Sequence, residues 1–243
     1  MNSLYYGRQI AEEILKSPLK ATKLLLAEGI EAEFKEAILR LAKQKRIPVQ
    51  NVPVRYLDNR IRGNHQGVAV EAPPIQPVEF KSFIHSLPSN FKGYVCILDE
   101  IQDPQNLGAL LRSAVCFDCS AVIVPTHRSS PLSETVMRAS SGAMAHCPII
   151  EIANLGVAVE RLKERGFSVL GADSSAPIHL GEEKYPFPVA ILLGNEHRGV
   201  KPTLKKNCDQ LLSIRHSPKF DSLNVSCAAT VFFNTIYNQM RSQ

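Results

Sequence analysis

Apolar residues along this chain occur in two rhythms, short unbroken runs and stretches spaced by three or four, and the two alternate through most of its length. Residues 7–16 carry Ile10, Ile14 and Leu15 on one helical face, and residues 32–45 carry Phe34, Ile38 and Leu41 at the same spacing. Apolar runs at 23–27, around Val52 and at 67–71 predict strands that complete a compact α/β unit over residues 1–76. Pro73, Pro74 and Pro77 then remove backbone donors and favour extended chain, which predicts a boundary and a linker over 77–92. From Gly93 onward strands predicted at 94–98, 121–124, 148–152, 168–171, 188–193 and 210–214 are separated by helices at 106–117, 133–139 and 155–165, with a closing helix from about 223 to 239. This alternation implies a second α/β domain over 93–243, a mostly parallel sheet with helices on both faces.

Length and charge refine the picture only slightly. A chain of 243 residues can bury a core in one small and one medium domain. The net charge is +5, and residues 1–76 hold twelve Lys/Arg against eight Asp/Glu, so most of the excess lies in the first domain. Lys43, Lys45 and Arg46 end a helix, and Arg55, Arg60 and Arg62 precede Gly63. Such clusters are usually solvated faces or cations near a helix C-terminus; they suit a polyanionic partner without identifying one. No apolar stretch approaches the roughly 18–20 residues of a membrane span, and residues 1–8 lack the layout of a signal peptide, so the expected address is the cytoplasm. The six cysteines follow no disulfide rhythm and are expected as reduced thiols; Cys116 and Cys119 form a Cys-x-x-Cys with no second ligand pair.

Three polar stretches change the picture more. They are Asp103-Pro104-Gln105-Asn106-Leu107-Gly108 with Arg112, Gly194-Asn195-Glu196, and Ser222-Leu223-Asn224-Val225-Ser226. Each follows a predicted strand, so all three can gather at one edge of the sheet, where ligand sites of α/β proteins lie. Residue by residue each has a plain structural alternative. Asn106 serves equally as a helix N-cap or a ligand contact, and Arg112 as a surface arginine. Gly194 lets backbone approach a ligand, and Glu196 can cap the next turn. Ser222 is an N-cap by type, and Leu223 would then sit in the core. No cluster with metal-ligand spacing is visible, and no Gly-x-Gly-x-x-Gly follows an early strand, which excludes a dinucleotide-dependent dehydrogenase.

Taken together and in order, the three stretches resemble the motifs of the SpoU (TrmH) family of RNA ribose 2′-O-methyltransferases, within the knotted SPOUT superfamily. The first 76 residues, with His65-Gln66-Gly67-Val68, resemble that family's small L30e-like substrate-binding domain. The resemblance implies a trefoil knot threaded by residues from roughly 170 to 230, a homodimer, S-adenosylmethionine as cofactor, no metal, and RNA as substrate. A guanosine in ribosomal RNA is the first expectation and transfer RNA the second.

By match to the family, Arg112, Asn106, Glu196, Ser222 and Asn224 form the catalytic group. Gly194, Ile214, Leu223, Ala172 and Asn195 hold the cofactor, Ala172 with the neighbouring Asp173 facing the adenosine. A general-base role for Arg112 sits awkwardly with a guanidinium, a very weak acid, so gripping the target phosphate or polarising the 2′-hydroxyl are the roles kept. The chain departs from the pattern where His197 follows Glu196 and where Arg215-His216 and Pro218 replace the common Pro-Met-x-Gly. Those departures motivate a second reading, a non-catalytic RNA-binding homologue. His127, Arg128, Ser129, Ser130, Ser140, Ser141 and Gly142 fall in segments the family uses near substrate.

Overall fold

The computed structural model describes residues 2–195, 198–219 and 222–242. The chain divides into two compact units, Met1–Ile75 with Leu132–His146, and Gln76–Pro131 with Cys147–Gln243.

The first unit is built from β1 (Ser3–Tyr6), α1 (Arg8–Lys16), β2 (Lys23–Ala27), α2 (Ala32–Gln44), β3 (Val49–Val52), α3 (Val54–Asp58) and β4 (Val68–Ala72). Its sheet runs β1-β4-β2-β3, with β4 antiparallel to β1 and β2, and β3 parallel to β2. Leu24, Leu25 and Leu26 are wholly buried because β2 is covered on both faces, and α1 turns Ile10, Ala11, Ile14 and Leu15 inward. Neither β1 nor α3 is expected from the apolar pattern; each is four or five residues long, too short to show a period.

The second unit opens with α4 (Phe80–Ser86), β5 (Tyr94–Leu98), α5 (Pro104–Cys116) and β6 (Val122–Pro125). Residues 77–92, expected as linker, thus contain a helix, capped by Glu79 and held by Phe83 in the core with Val95 and Ile97. The chain then returns to the first unit with α6 (Glu134–Ala139) and a 3-10 turn at Ala143–Ala145. Three contacts tie this segment there. Arg138 lies over the Tyr6 ring, His146 Nε2 is 2.9 Å from Glu13 Oε2, and Gly142, at φ +92°, presses against Glu13 and Ile10 where a side chain would collide.

β7 (Ile149–Ile152), α7 (Leu155–Glu164), β8 (Ser168–Ala172), β9 (Val189–Leu193), α8 (Pro202–Lys205), β10 (Gln210–Leu212) and α9 (Val225–Arg241) complete the second unit. Six parallel strands run in the order β10-β8-β9-β5-β6-β7. Every residue of β5 and β9 is buried, which is why these strands read as unbroken apolar runs rather than as alternation. From β5 the chain steps outward through β6 and β7, then resumes on the other flank of β5. The carboxyl ends of β5, β8, β9 and β10 face this switch point, the position at which open α/β sheets bind ligands. None of the helices among the described residues is long and apolar enough to cross a membrane.

Candidate functional site

A cavity of about 390 Å³ opens at the carboxyl ends of β8, β9 and β10, in the range of small-molecule sites. Its wall includes all five residues expected to hold the cofactor: Ala172 ending β8, Gly194 and Asn195 following β9, Ile214 following β10, and Leu223 ahead of α9. Ser222 also reaches it. The floor is apolar, from Leu193, Leu212, Val225 and Phe232. Leu223 is 44 % exposed, so it is not a core residue; an uncovered leucine on a cavity wall is what an apolar ligand face would bury.

The turn after β9 is closed by its own backbone. Asn195 N–H donates to Gly199 O at 3.1 Å and Gly199 N–H to Asn195 O at 2.9 Å. A Cβ on Gly194 would collide with the backbone of Gly199 and Val200, so glycine is required here by the turn itself rather than by the approach of a ligand. Glu196 and His197 lie outside the described residues.

The catalytic candidates gather on α5 and the start of α9. Asp103, not Asn106, caps α5 by accepting from Gln105 N–H at 3.0 Å, with Pro104 in the first turn. Asn106 Oδ1 accepts from Asn224 Nδ2 at 2.9 Å. Asn224 in turn caps α9, accepting from Ser226 N–H at 2.8 Å. Ser222, expected as that cap, lies two residues before it and is exposed. Ser113 and Thr230 hydroxyls 2.7 Å apart bind the two helices further along. Arg112 lies exposed on α5, outside the cavity wall.

Several polar groups escaped the sequence reading. Asp99 and Glu100 directly follow β5; Asp99 is 1 % exposed and Glu100 stands in the left-handed region at φ 59°. Lys201 Nζ lies 2.7 Å from Glu100 Oε1 and 3.2 Å from Asp99 Oδ1, the second as an ion pair without hydrogen-bond alignment. The bond from Lys201 holds the Glu100 carboxyl below the usual carboxylate range, and the bond to Glu100 raises the Lys201 ammonium. On the cavity wall Lys205 Nζ is 2.6 Å from Asp173 Oδ2. Burial pushes the Asp173 carboxyl up, but the bonds from Lys205 and Ser175 outweigh it and the net shift is downward. The signal for Asp99 and Glu100 was their place at a strand's carboxyl end; nothing local marks Lys201 or Lys205.

The secondary candidates disperse. Arg128 is 3.4 Å from Glu100, Ser130 is buried, and Ser140 to Gly142 belong to the first unit. His216 lines the cavity, while Arg215 turns to Glu182 at 2.6 Å. Cys116 is exposed and Cys119 buried, and burial pushes the Cys119 thiol well above its ordinary value, away from the thiolate that metal binding needs.

The family model described as the SpoU rRNA methylase family matches residues 93–234, and the model described as RNA 2′-O ribose methyltransferase substrate binding matches residues 4–78. The chain is 33 % identical over 234 residues to the Bacillus subtilis protein YacO, whose name assigns it to the TrmH family of tRNA/rRNA methyltransferases, covering 96 % of this chain and 94 % of that one. It is 35 % identical over 235 residues to a Staphylococcus haemolyticus protein of the same family name, with the same coverage. Among solved structures it resembles the SpoU methyltransferase AviRb of Streptomyces viridochromogenes, at a TM-score of 0.80 and 19 % identity over 99 % of this chain and 90 % of that one. It also resembles an AdoMet-bound rRNA methyltransferase of Sinorhizobium meliloti, at 0.76 and 22 % over 98 % and 87 %.

Proposed function

Because this chain belongs to the SpoU rRNA methylase family, we propose that it transfers a methyl group from S-adenosylmethionine to the ribose 2′-hydroxyl of an RNA nucleotide. A guanosine in ribosomal RNA is the first substrate to test and a transfer RNA the second. The observation that carries the reading is the gathering of Ala172, Gly194, Asn195, Ile214 and Leu223 around one cavity, with Ser222 at its rim. Apolar Leu212, Ile214 and Leu223 suit a flat purine, and Asp173 with the backbone of the strand ends suits a ribose and an amino-acid head. When bound, the cofactor supplies an electrophilic methyl on a sulfonium.

The chain's residues supply alignment and charge. Gly194 and Ile214 would hold the ligand through backbone, with Leu223 covering its apolar face. The Arg112 guanidinium acts as a cation that grips the phosphate of the target nucleotide or polarises its 2′-hydroxyl. The Asn106–Asn224 bond fixes the start of α9 against α5, the helix that carries Arg112. Glu196 completes the proposed group. In this reading residues 1–76 recognise RNA, residues 93–243 catalyse, the segment from roughly 170 to 230 is the trefoil knot, and the working form is a cytoplasmic homodimer.

The test is transfer of radiolabelled methyl to total RNA lacking the modification, comparing wild type with Arg112→Ala and mapping the product by its resistance to alkaline cleavage. A ribose-methyl stop made by wild type and lost in the variant is expected. Failure of wild type to bind S-adenosylmethionine by calorimetry would overturn the reading in favour of a non-catalytic RNA-binding homologue, which the presence of His216 on the cavity wall favours.

A further inference from the structure

The corner formed by Asp99 and Glu100 is not part of the cavity, yet both legs of the turn after β9 are fastened to it. Asn195, on the outgoing leg, donates from Nδ2 to Glu100 O at 2.9 Å. Lys201, on the returning leg, is held twice. Its backbone N–H donates to Asp99 Oδ2 at 3.1 Å, and its Nζ lies 2.7 Å from Glu100 Oε1 and 3.2 Å from Asp99 Oδ1. Also on the returning leg, Val200 is 1 % exposed and packs in the core of the second unit. Both described legs of the turn are thus fastened to the segment that directly follows β5.

The same corner leads straight into the segment that carries the reaction's candidates. Ile101 is fully buried two residues after Asp99, Asp103 caps α5, and Asn106 follows. A single short stretch thus sets where α5 begins and where Gly194, Asn195 and Gly199 stand on the cavity wall. Asp99 is 1 % exposed, and the cation paired with its carboxylate among the described residues is the Lys201 ammonium. Lys201 is 45 % exposed along its side chain but directs its ammonium to both acids, and Arg128 reaches only Glu100.

We infer that Lys201 is a positioning residue for methyl transfer: by joining the Asp99–Glu100 corner to the returning leg of the Gly194 turn, it holds the cofactor wall in register with α5. This rests on the cavity being the S-adenosylmethionine site.

The experiment compares wild type, Lys201→Met and Lys201→Arg, with Glu100→Gln as a milder variant should Lys201→Met fail to fold. Two readouts are taken on each: S-adenosylmethionine Kd and KM against kcat and RNA KM, and amide exchange by NMR at Asn195, Gly199 and Lys201 without ligand. Lys201→Met is expected to speed exchange at all three amides at least tenfold and to raise cofactor Kd and KM about tenfold, with RNA KM within twofold. Lys201→Arg should restore cofactor affinity to within about threefold of wild type. Glu100→Gln should give a smaller change of the same pattern. Unchanged exchange and cofactor affinity in Lys201→Met with only a lowered Tm would overturn the inference, as would Lys201→Arg being as impaired as Lys201→Met. Faster exchange in Lys201→Met beside a wild type that binds no cofactor would instead count against the proposed function while leaving the clamp standing.

Discussion

Replacing Gly194 by alanine adds one carbon, and the structure gives it nowhere to go. The new Cβ would collide with the carbonyl carbon of Gly199 and the nitrogen of Val200, both main-chain atoms that cannot rotate aside. The returning leg must therefore move by more than an ångström. That movement breaks the two backbone bonds between Asn195 and Gly199, each contributing about 0.5–1.5 kcal/mol. It also draws Val200 out of the core, where full burial of a valine stabilises by about 1.5–3 kcal/mol. A loss of about 3–5 kcal/mol follows, which for a chain of this length lowers Tm by roughly 10 °C. The moved segment is also the cavity wall, so S-adenosylmethionine affinity should fall at least tenfold, equivalent to about 1.4 kcal/mol. Differential scanning fluorimetry with and without cofactor, followed by calorimetric titration, measures both. A Gly194→Ala variant that melts within about 2 °C of wild type and binds cofactor within twofold would refute the argument that backbone crowding fixes this residue.

Leu223→Ala should separate binding from folding: the side chain is largely exposed, so stability should change by less than about 0.5 kcal/mol while cofactor Kd rises several-fold, and a comparable loss of Tm would contradict its place on the cavity wall. Asn224 does two things, so two substitutions divide them. Asn224→Ala should cost about 1 kcal/mol through the lost α9 cap and also lose methyl transfer, whereas Asn224→Ser should keep the cap and Tm but remain impaired for want of the bond to Asn106; full activity in the serine variant would dismiss that bond. The lowered Glu100 carboxyl makes a pH-dependent contribution. Its stabilisation is complete above the unfolded value of about 4.3 and is lost as pH falls through the lower folded value, so the cost of Glu100→Gln in urea unfolding should shrink between pH 7 and pH 3.5; an equal cost at both would count against the ion pair. RNA affinity should fall linearly in log–log form with salt, and a salt-independent affinity would argue against phosphate contact.

What the sequence revealed and what it hid divide along a physical line. The strands of the large sheet were legible because β5 and β9 are covered on both faces and need apolar residues at every position. The wall residues of the cavity were legible through the family resemblance, and Ala172, Gly194, Asn195 and Ile214 stand at or just after strand ends, a position that the alternation of strand and helix locates without identifying the residues. The helix caps were less so. Ser222 and Asn224 are both good caps by type, and which one serves depends on where the chain first adopts helical dihedrals, which the preceding loop decides. For the same reason residue type left Asn106 open between a cap and a ligand contact, and Asp103 three residues earlier accepts from Gln105 N–H in its place. Least legible was the Asp99–Glu100–Lys201 corner, whose members are about a hundred residues apart and become neighbours only because β9 inserts beside β5. Residue type could not reveal it, because a lysine two residues past a glycine reads as a solvated charge until the sheet order is known. The chemistry of this site is therefore written locally, in three short stretches, whereas the geometry that holds those stretches in register is written in the pairing of distant strands. Substitutions in the first group should change what the protein does to its ligand, and substitutions in the second should change how steadily it holds the surface on which that is done.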